Sequence, residues 1–276
     1  MKIIVSHDVD HIKPWEHTVD FIIPKYWART FIEFGLGYIR LTEVLRRAWN
    51  FLSNKWNNIE QLSKFDKMQD IPSTFFVAVA KGGGISYSLR DSIEKIEYLK
   101  RMGLLVGIHG IEFDDFSKIK REYDLFGKIY GFRCYGIRMH NLKVSEMTLQ
   151  FLDNTGYLFD STIPALRNPY KIGKMWEFPV TLMDGWVFYK NSRFQNQTLS
   201  QAKETTKKIL NMAINKNLKF FTLLFHDRYF SHCFNSWMEW YIWLIRFLKD
   251  NKFEFINYLE AIKELERNNE RYLDNK

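Results

Sequence analysis

The chain has little cysteine and no extended apolar run. Two cysteines in 276 residues, Cys134 and Cys233, exclude a disulfide scaffold and a multi-cysteine zinc module. No segment approaches the roughly 18 consecutive apolar residues of a membrane-spanning helix. Low-complexity linkers and internal repeats are lacking too, as is any nucleic-acid-binding signature. Met1-Lys2-Ile3-Ile4-Val5 passes straight into a strand-like segment rather than a signal-peptide pattern. The expectation is a cytoplasmic globular protein, one domain over 1–276, with no nucleic-acid partner. What is present is basic and aromatic: 40 Lys and Arg stand against 32 Asp and Glu, a formal charge of +8, and nine tryptophans contribute to 17% aromatics. Such a surface suits anionic lipid or an acidic substrate.

Short β-branched and aromatic runs read as strands at 2–6, 73–79, 104–109, 132–138, 157–160, 176–180, 219–226 and 253–256. Helical stretches separate most of them. Ser88 opens one as an N-cap, with Ile93, Ile96, Leu99 and Met102 as its apolar stripe. Strand–helix alternation over this length predicts an α/β fold with a parallel sheet closed as a (β/α) barrel. A helical insertion at about 14–66 breaks the rhythm. Within it, 27–54 reads as helix, with Phe31, Phe34, Tyr38, Leu41, Leu45, Trp49 and Leu52 near 3.5-residue spacing and several arginines beside them. Two readings stand: a helical element packed on the barrel, or an amphipathic lid or membrane-surface element. Helix 235–250, with Trp237, Trp240, Tyr241 and Trp243, poses the same choice.

In parallel α/β folds ligands gather at the carboxyl ends of the strands. Five of the seven histidines, His7, His11, His109, His140 and His226, fall at such ends. Asp8 and Asp10, two apart on an extended strand, share a face. Two close carboxylates can divide labour, one holding a cation and the other accepting a proton. Arg138 and His140 share a face in the same way, and an arginine beneath the site can orient a carboxylate base through charge-assisted bonds. His226 follows a buried apolar strand and suits general-acid work. Asp227 either orients it or caps the next helix.

Taken in series, Ser6-His7-Asp8-Val9-Asp10-His11, Pro72-Ser73-Thr74-Phe75-Phe76, Val106-Gly107-Ile108-His109-Gly110, Gly136-Ile137-Arg138-Met139-His140, Gly156 to Thr162, Trp176-Glu177-Phe178-Pro179 and Leu223-Leu224-Phe225-His226-Asp227 resemble the polysaccharide deacetylases, the NodB-homology or carbohydrate esterase family 4 group. The His-Asp-Val-Asp opening is similar to a branch found among bacterial surface-glycan biosynthesis proteins. The resemblance implies a distorted (β/α)7 barrel and metal-dependent removal of an N-acyl group, N-acetyl above all, from a sugar. It makes Asp8 the base, Asp10 and His109 metal ligands, Arg138 the residue orienting the base, and His226 the general acid. The backbone near Asn141 becomes an oxyanion donor, and Trp176 and Glu177 join Asn141 on the substrate side.

The chain departs from that pattern at Phe113, where the second histidine ligand is expected. His140 is the preferred replacement and Asp114 the alternative. The aspartate that normally orients the catalytic histidine is also unmatched, leaving Glu177 or Asp227 for that role. Nitrogen and oxygen ligation favours zinc. A cytoplasmic enzyme would meet a nucleotide-linked or lipid-linked glycan precursor, the latter at the inner membrane face. Two rivals remain open: a glycosyltransferase using Asp-x-Asp, and a catalytically silent carbohydrate-binding barrel.

Overall fold

The computed structural model describes residues 1–131 and 135–273, with side chains through 267. In chain order the barrel elements are β1 (Lys2–Val9), β2 (Thr74–Val77), α4 (Leu89–Arg101), β3 (Leu105–Gly110), α5 (Phe116–Tyr130), β4 (Gly136–Met139), α6 (Thr148–Thr155) and β5 (Phe159–Asp160). They continue through β6 (Tyr170–Ile172), β7 (Met175–Glu177), β8 (Leu182–Met183), α7 (Asp184–Phe188), α8 (Leu199–Asn215), β9 (Phe220–Leu224), α9 (Asn235–Asp250), β10 (Glu254–Phe255) and α10 (Tyr258–Leu273). Between β1 and β2 lie α1 (Ile22–Gly35), α2 (Leu41–Leu52) and α3 (Ile59–Met68). The single helix expected over 27–54 is two helices. Gly37, in the left-handed region at φ +76°, lies in the turn between them. Residues 132–134 of the expected fourth strand lie outside the described residues.

The sheet runs β6-β7-β5-β4-β3-β2-β1-β9-β8, with β10 beside β1. Every pair is parallel except β6–β7. One stretch, 175–183, joins the two ends of the path. Its first residues pair with β5 as β7, and its last pair with β9 as β8. Between them Val180 N–H donates to Ile163 and Thr181 N–H to Thr222. Counted as one stave, this stretch completes seven with β1 to β5 and β9, the distorted barrel expected from the sequence.

Period-two alternation sorts β1. Ile3, Val5 and Val9 join the large core under the helices, while Ile4 joins Phe76, Phe159, Phe178, Phe220 and Tyr258 in a second cluster. Ser6 and Asp8 share Ile4's parity and point into the barrel. Ser88 caps α4 as expected, its hydroxyl accepting from Asp91 N–H. Gly156 ends α6 at φ +103°.

Candidate active site

A cavity of about 480 Å³ opens over the carboxyl ends of β1, β3, β4 and β9. Register brings its polar groups together: His109 and Arg138 are Cα partners across β3 and β4, and β1 pairs with both β2 and β9. Asp8 is buried, and its Oδ1 accepts from Arg138 Nη1 at 2.9 Å. Arg138 is fully buried, and each of its three guanidinium nitrogens is hydrogen-bonded. Its Nε donates to the Ser161 carbonyl at 2.7 Å, and its Nη2 to Ser161 Oγ at 2.8 Å and Tyr258 OH at 2.9 Å. The guanidinium also lies 4.5 Å from the Phe76 ring centroid. With each of its three nitrogens bonded, the guanidinium is fixed in place beneath Asp8.

Asp10, His109 and His140 form a tight triangle. Asp10 Oδ1 lies 3.1 Å from His109 Nε2 and 3.3 Å from His140 Nδ1, and the two ring nitrogens are 3.0 Å apart. The far nitrogens settle the tautomers. His109 Nδ1 faces the Arg138 carbonyl at 3.1 Å, and His140 Nε2 faces the Gly83 carbonyl at 3.1 Å. A carbonyl only accepts, so each far nitrogen carries the proton and each near nitrogen of a neutral ring carries a lone pair. With both rings neutral, two lone pairs and a carboxylate face one another, an arrangement that either a proton shared between a ring and Asp10 or a small cation relieves. Burial opposes ionisation of Asp10, but hydrogen bonds from His109 and His140, which a ring donates when it is charged, outweigh it and hold its carboxyl well below the usual carboxylate range. Three donors with carbonyl-anchored rings suit a small divalent cation.

On the opposite wall His226 follows β9. Its Nδ1 sits 3.0 Å from both oxygens of Asp184, which also accepts its backbone N–H at 2.7 Å. Its Nε2 faces Asp10 Oδ2 at 3.6 Å. Burial disfavours the imidazolium, yet the charge of Asp184, then Asp10 and Asp8, raises its pKa well above the ordinary histidine value. Asn141 and Leu142, both at positive φ, bring the turn after β4 to the cavity wall.

Several sequence-based expectations need correction. Asp184, not Glu177 or Asp227, carries the His226 ring. Asp227 instead accepts the Asn58 N–H at 2.9 Å. Glu177 and Trp176 are buried in the wall and do not line the cavity. Glu177 accepts the Ile163 N–H, and burial together with Asp160 drives its pKa well up. Asp114 is exposed and outside both candidate cation clusters among the described residues, whereas His140 is inside one. His7 leaves the rim altogether, because it has the opposite parity to Asp8 and bonds Asp66 on α3 at 2.8 Å. Asp184 escaped sequence reading because it follows a two-residue strand and opens a five-residue helix, both too short for any period to show.

No family model matches the chain, and no curated protein matches it by sequence. Solved structures do. A protein assigned as a polysaccharide deacetylase from Mycobacterium smegmatis superposes with a TM-score of 0.65 at 17% identity, covering 98% of this chain and 91% of that one. One from Pseudomonas aeruginosa PAO1 gives 0.63 at 12%, covering 96% and 90%. The chain has the polysaccharide deacetylase fold. A CE4 family pseudoenzyme from Bacillus anthracis shares it with a TM-score of 0.50 at 10% identity, covering 94% of this chain and 64% of that one. The fold therefore hosts inactive members too, and activity must be argued from side chains.

Proposed function

We propose that this protein is a metal-dependent carbohydrate N-deacetylase of the His-Asp-Val-Asp branch, acting on a nucleotide-linked or lipid-linked sugar precursor in surface-glycan biosynthesis. The observation that carries the reading is the triangle of Asp10, His109 and His140, its two rings anchored on carbonyls, beside a separately oriented base and acid. Those three residues would hold the cation, zinc by donor type. A bound divalent ion supplies polarisation of the acyl carbonyl and acidification of water.

The chain's own groups do the rest. Arg138 occupies Asp8 Oδ1, so Oδ2 is the oxygen left to take the proton of the attacking water as the C–O bond forms. A backbone N–H at Asn141 donates to the oxyanion, a contribution of about 3–4 kcal/mol for a well-placed donor. Asp184 holds His226 as the imidazolium, which gives its proton to the amine as the C–N bond breaks. Water and amide become carboxylic acid and free amino sugar, with Asp8 and His226 each exchanging one proton.

The test pairs metal analysis of purified protein with release of acetate or formate from N-acylated sugar nucleotides and lipid-linked saccharides. About one bound equivalent and release abolished by Asp8→Asn support the reading. A second reading, a silent carbohydrate-binding barrel, draws on Phe113 standing where a ligand is expected. Sugar binding with neither bound cation nor release, even after zinc, cobalt or nickel is added, would establish it instead.

A further inference from the structure

The helical insertion is built inside out. On α2, Leu41, Leu45, Trp49 and Leu52 fall along one face at 56, 61, 70 and 70% exposure, while Glu43 and Arg47 are buried. Arg47 Nη1 donates to Glu33 Oε2 at 2.8 Å and to Thr30 Oγ1 at 3.1 Å, and Nε donates to the Cys233 carbonyl at 2.9 Å. On α1 the pattern repeats. Phe31 and Phe34 are exposed, and Glu33 is buried, accepting from Arg29 Nε at 2.7 Å and Gln195 N–H at 2.8 Å. Six large apolar side chains exposed on two consecutive helices mark a contact surface.

Charge identifies the partner. Residues 21–55 hold only two carboxylates, Glu33 and Glu43, and both face the protein. Lys25, Arg40, Arg46 and Lys55 are exposed, and none has an ion-pair partner among the described residues. A large apolar face with cations and a tryptophan, and no outward anion, is complementary to an anionic bilayer surface. A second copy fits worse, since a two-fold contact would bring both sets of cations together without a carboxylate between them. No described helix is long and apolar enough to cross a membrane. We infer that the α1–α2 hairpin docks flat on an anionic lipid surface.

Docking sets a direction for the site. The inner side of α1 packs behind the cavity wall, with the Arg29 guanidinium 4.8 Å from the Tyr189 ring centroid and 5.5 Å from that of Tyr229, both cavity residues. A groove along α1, lined by Lys25, Arg29 and Arg193, shares His11 and Arg228 with the cavity. A lipid-borne sugar would pass along it, its phosphate meeting these cations. That route rests on the deacetylase reading, whereas docking does not.

Sedimentation of the full chain with vesicles tests docking without any assay of activity. At low ionic strength the protein should pellet with phosphatidylcholine vesicles containing phosphatidylglycerol, with a blue shift of tryptophan emission, and less with phosphatidylcholine alone. Leu45→Asp with Trp49→Asp should weaken partition by more than about a hundredfold. Arg40→Gln with Arg46→Gln should weaken it about thirtyfold on the anionic vesicles only. All four positions are exposed, so unchanged thermal melts are expected and separate lost docking from lost folding. Wild-type protein left in the supernatant overturns the inference, as does full partition by the apolar-face variant. So does a dimer in sedimentation velocity that Leu45→Asp with Trp49→Asp makes monomeric.

Discussion

Two sets of histidine and carboxylate stand at the barrel mouth. Asp10, His109 and His140 form one, and His11, Glu16 and His17 the other, each with three ligating atoms within 4.8 Å of one another. By proximity they are equals, and by proton count they are not. In the second set His17 Nδ1 donates to Asp20 Oδ2 at 2.8 Å, so its Nε2 carries a lone pair and accepts from His11 Nδ1 at 2.9 Å. Asp20 is held in turn by the Ser86 hydroxyl and the Ile22 N–H. From His11 through His17 to Asp20 each contact has one donor and one acceptor, and this relay needs no cation; Glu16, 3.3 Å from His17 Nε2, stands beside it and accepts the Ile12 N–H at 2.9 Å. Burial, then Arg228, keeps His11 well below its ordinary pKa and hence neutral. In the first set, with both rings neutral, the facing atoms are all acceptors. Clustering nominates a site, and what distinguishes a metal centre from a hydrogen-bond relay is which far atoms anchor the rings.

The largest effects should come from emptying the first set. Asp10→Asn, His109→Ala or His140→Ala should each reduce bound cation from about one equivalent toward none and cut turnover about a thousandfold or more. The same measurement on His17→Ala should still find one equivalent. Loss of the cation from the His17 variant, with retention in the other three, would reverse the assignment.

Next in size are His226 and its support. His226→Ala should cost about a hundredfold to ten-thousandfold in kcat, the usual range for a positioned acid. Asp184→Asn tests positioning through pH. The raised pKa of His226 keeps the acid form present above the ordinary histidine value of 6.5, so the limb that His226 sets lies on the alkaline side, where the rate falls as the proton leaves. Removing the Asp184 charge lowers that pKa, and the alkaline limb of the kcat profile should move toward lower pH. A purely structural role for Asp184 would reduce folded protein and leave the limb where it was.

How much of this the sequence could reveal depends on the range of the physics involved. Strands rich in β-branched and aromatic residues declared themselves, and alternation placed Asp8 and Asp10 together and Arg138 beneath them. The same alternation excludes His7 from the rim once its odd position is weighed. Local pattern failed where a partner comes from far along the chain. Asp184 meets His226 across 42 residues, and Gly83 anchors His140 across 57. In the insertion, the period of Leu41, Leu45, Trp49 and Leu52 was visible, but periodicity does not say which medium a stripe faces. Arg29 and Arg47 bond the buried Glu33, a pairing that the stripe's period does not show.

The smallest expected effect concerns the relay itself. His17→Phe keeps a ring of similar size in a buried position but can neither accept from His11 nor donate to Asp20. Asp20 retains two donors and loses little. His11 Nδ1–H is left buried and unpaired, which costs about 1–3 kcal/mol. Thermal or urea unfolding should register that loss, while the cation content stays at one and turnover falls by less than about tenfold, because no proton of the proposed reaction passes through His17. A loss of turnover as large as that of His226→Ala, with folding and cation intact, would mean that the relay takes part in the reaction, and the distinction between the two clusters would have to be redrawn around proton transfer rather than metal binding.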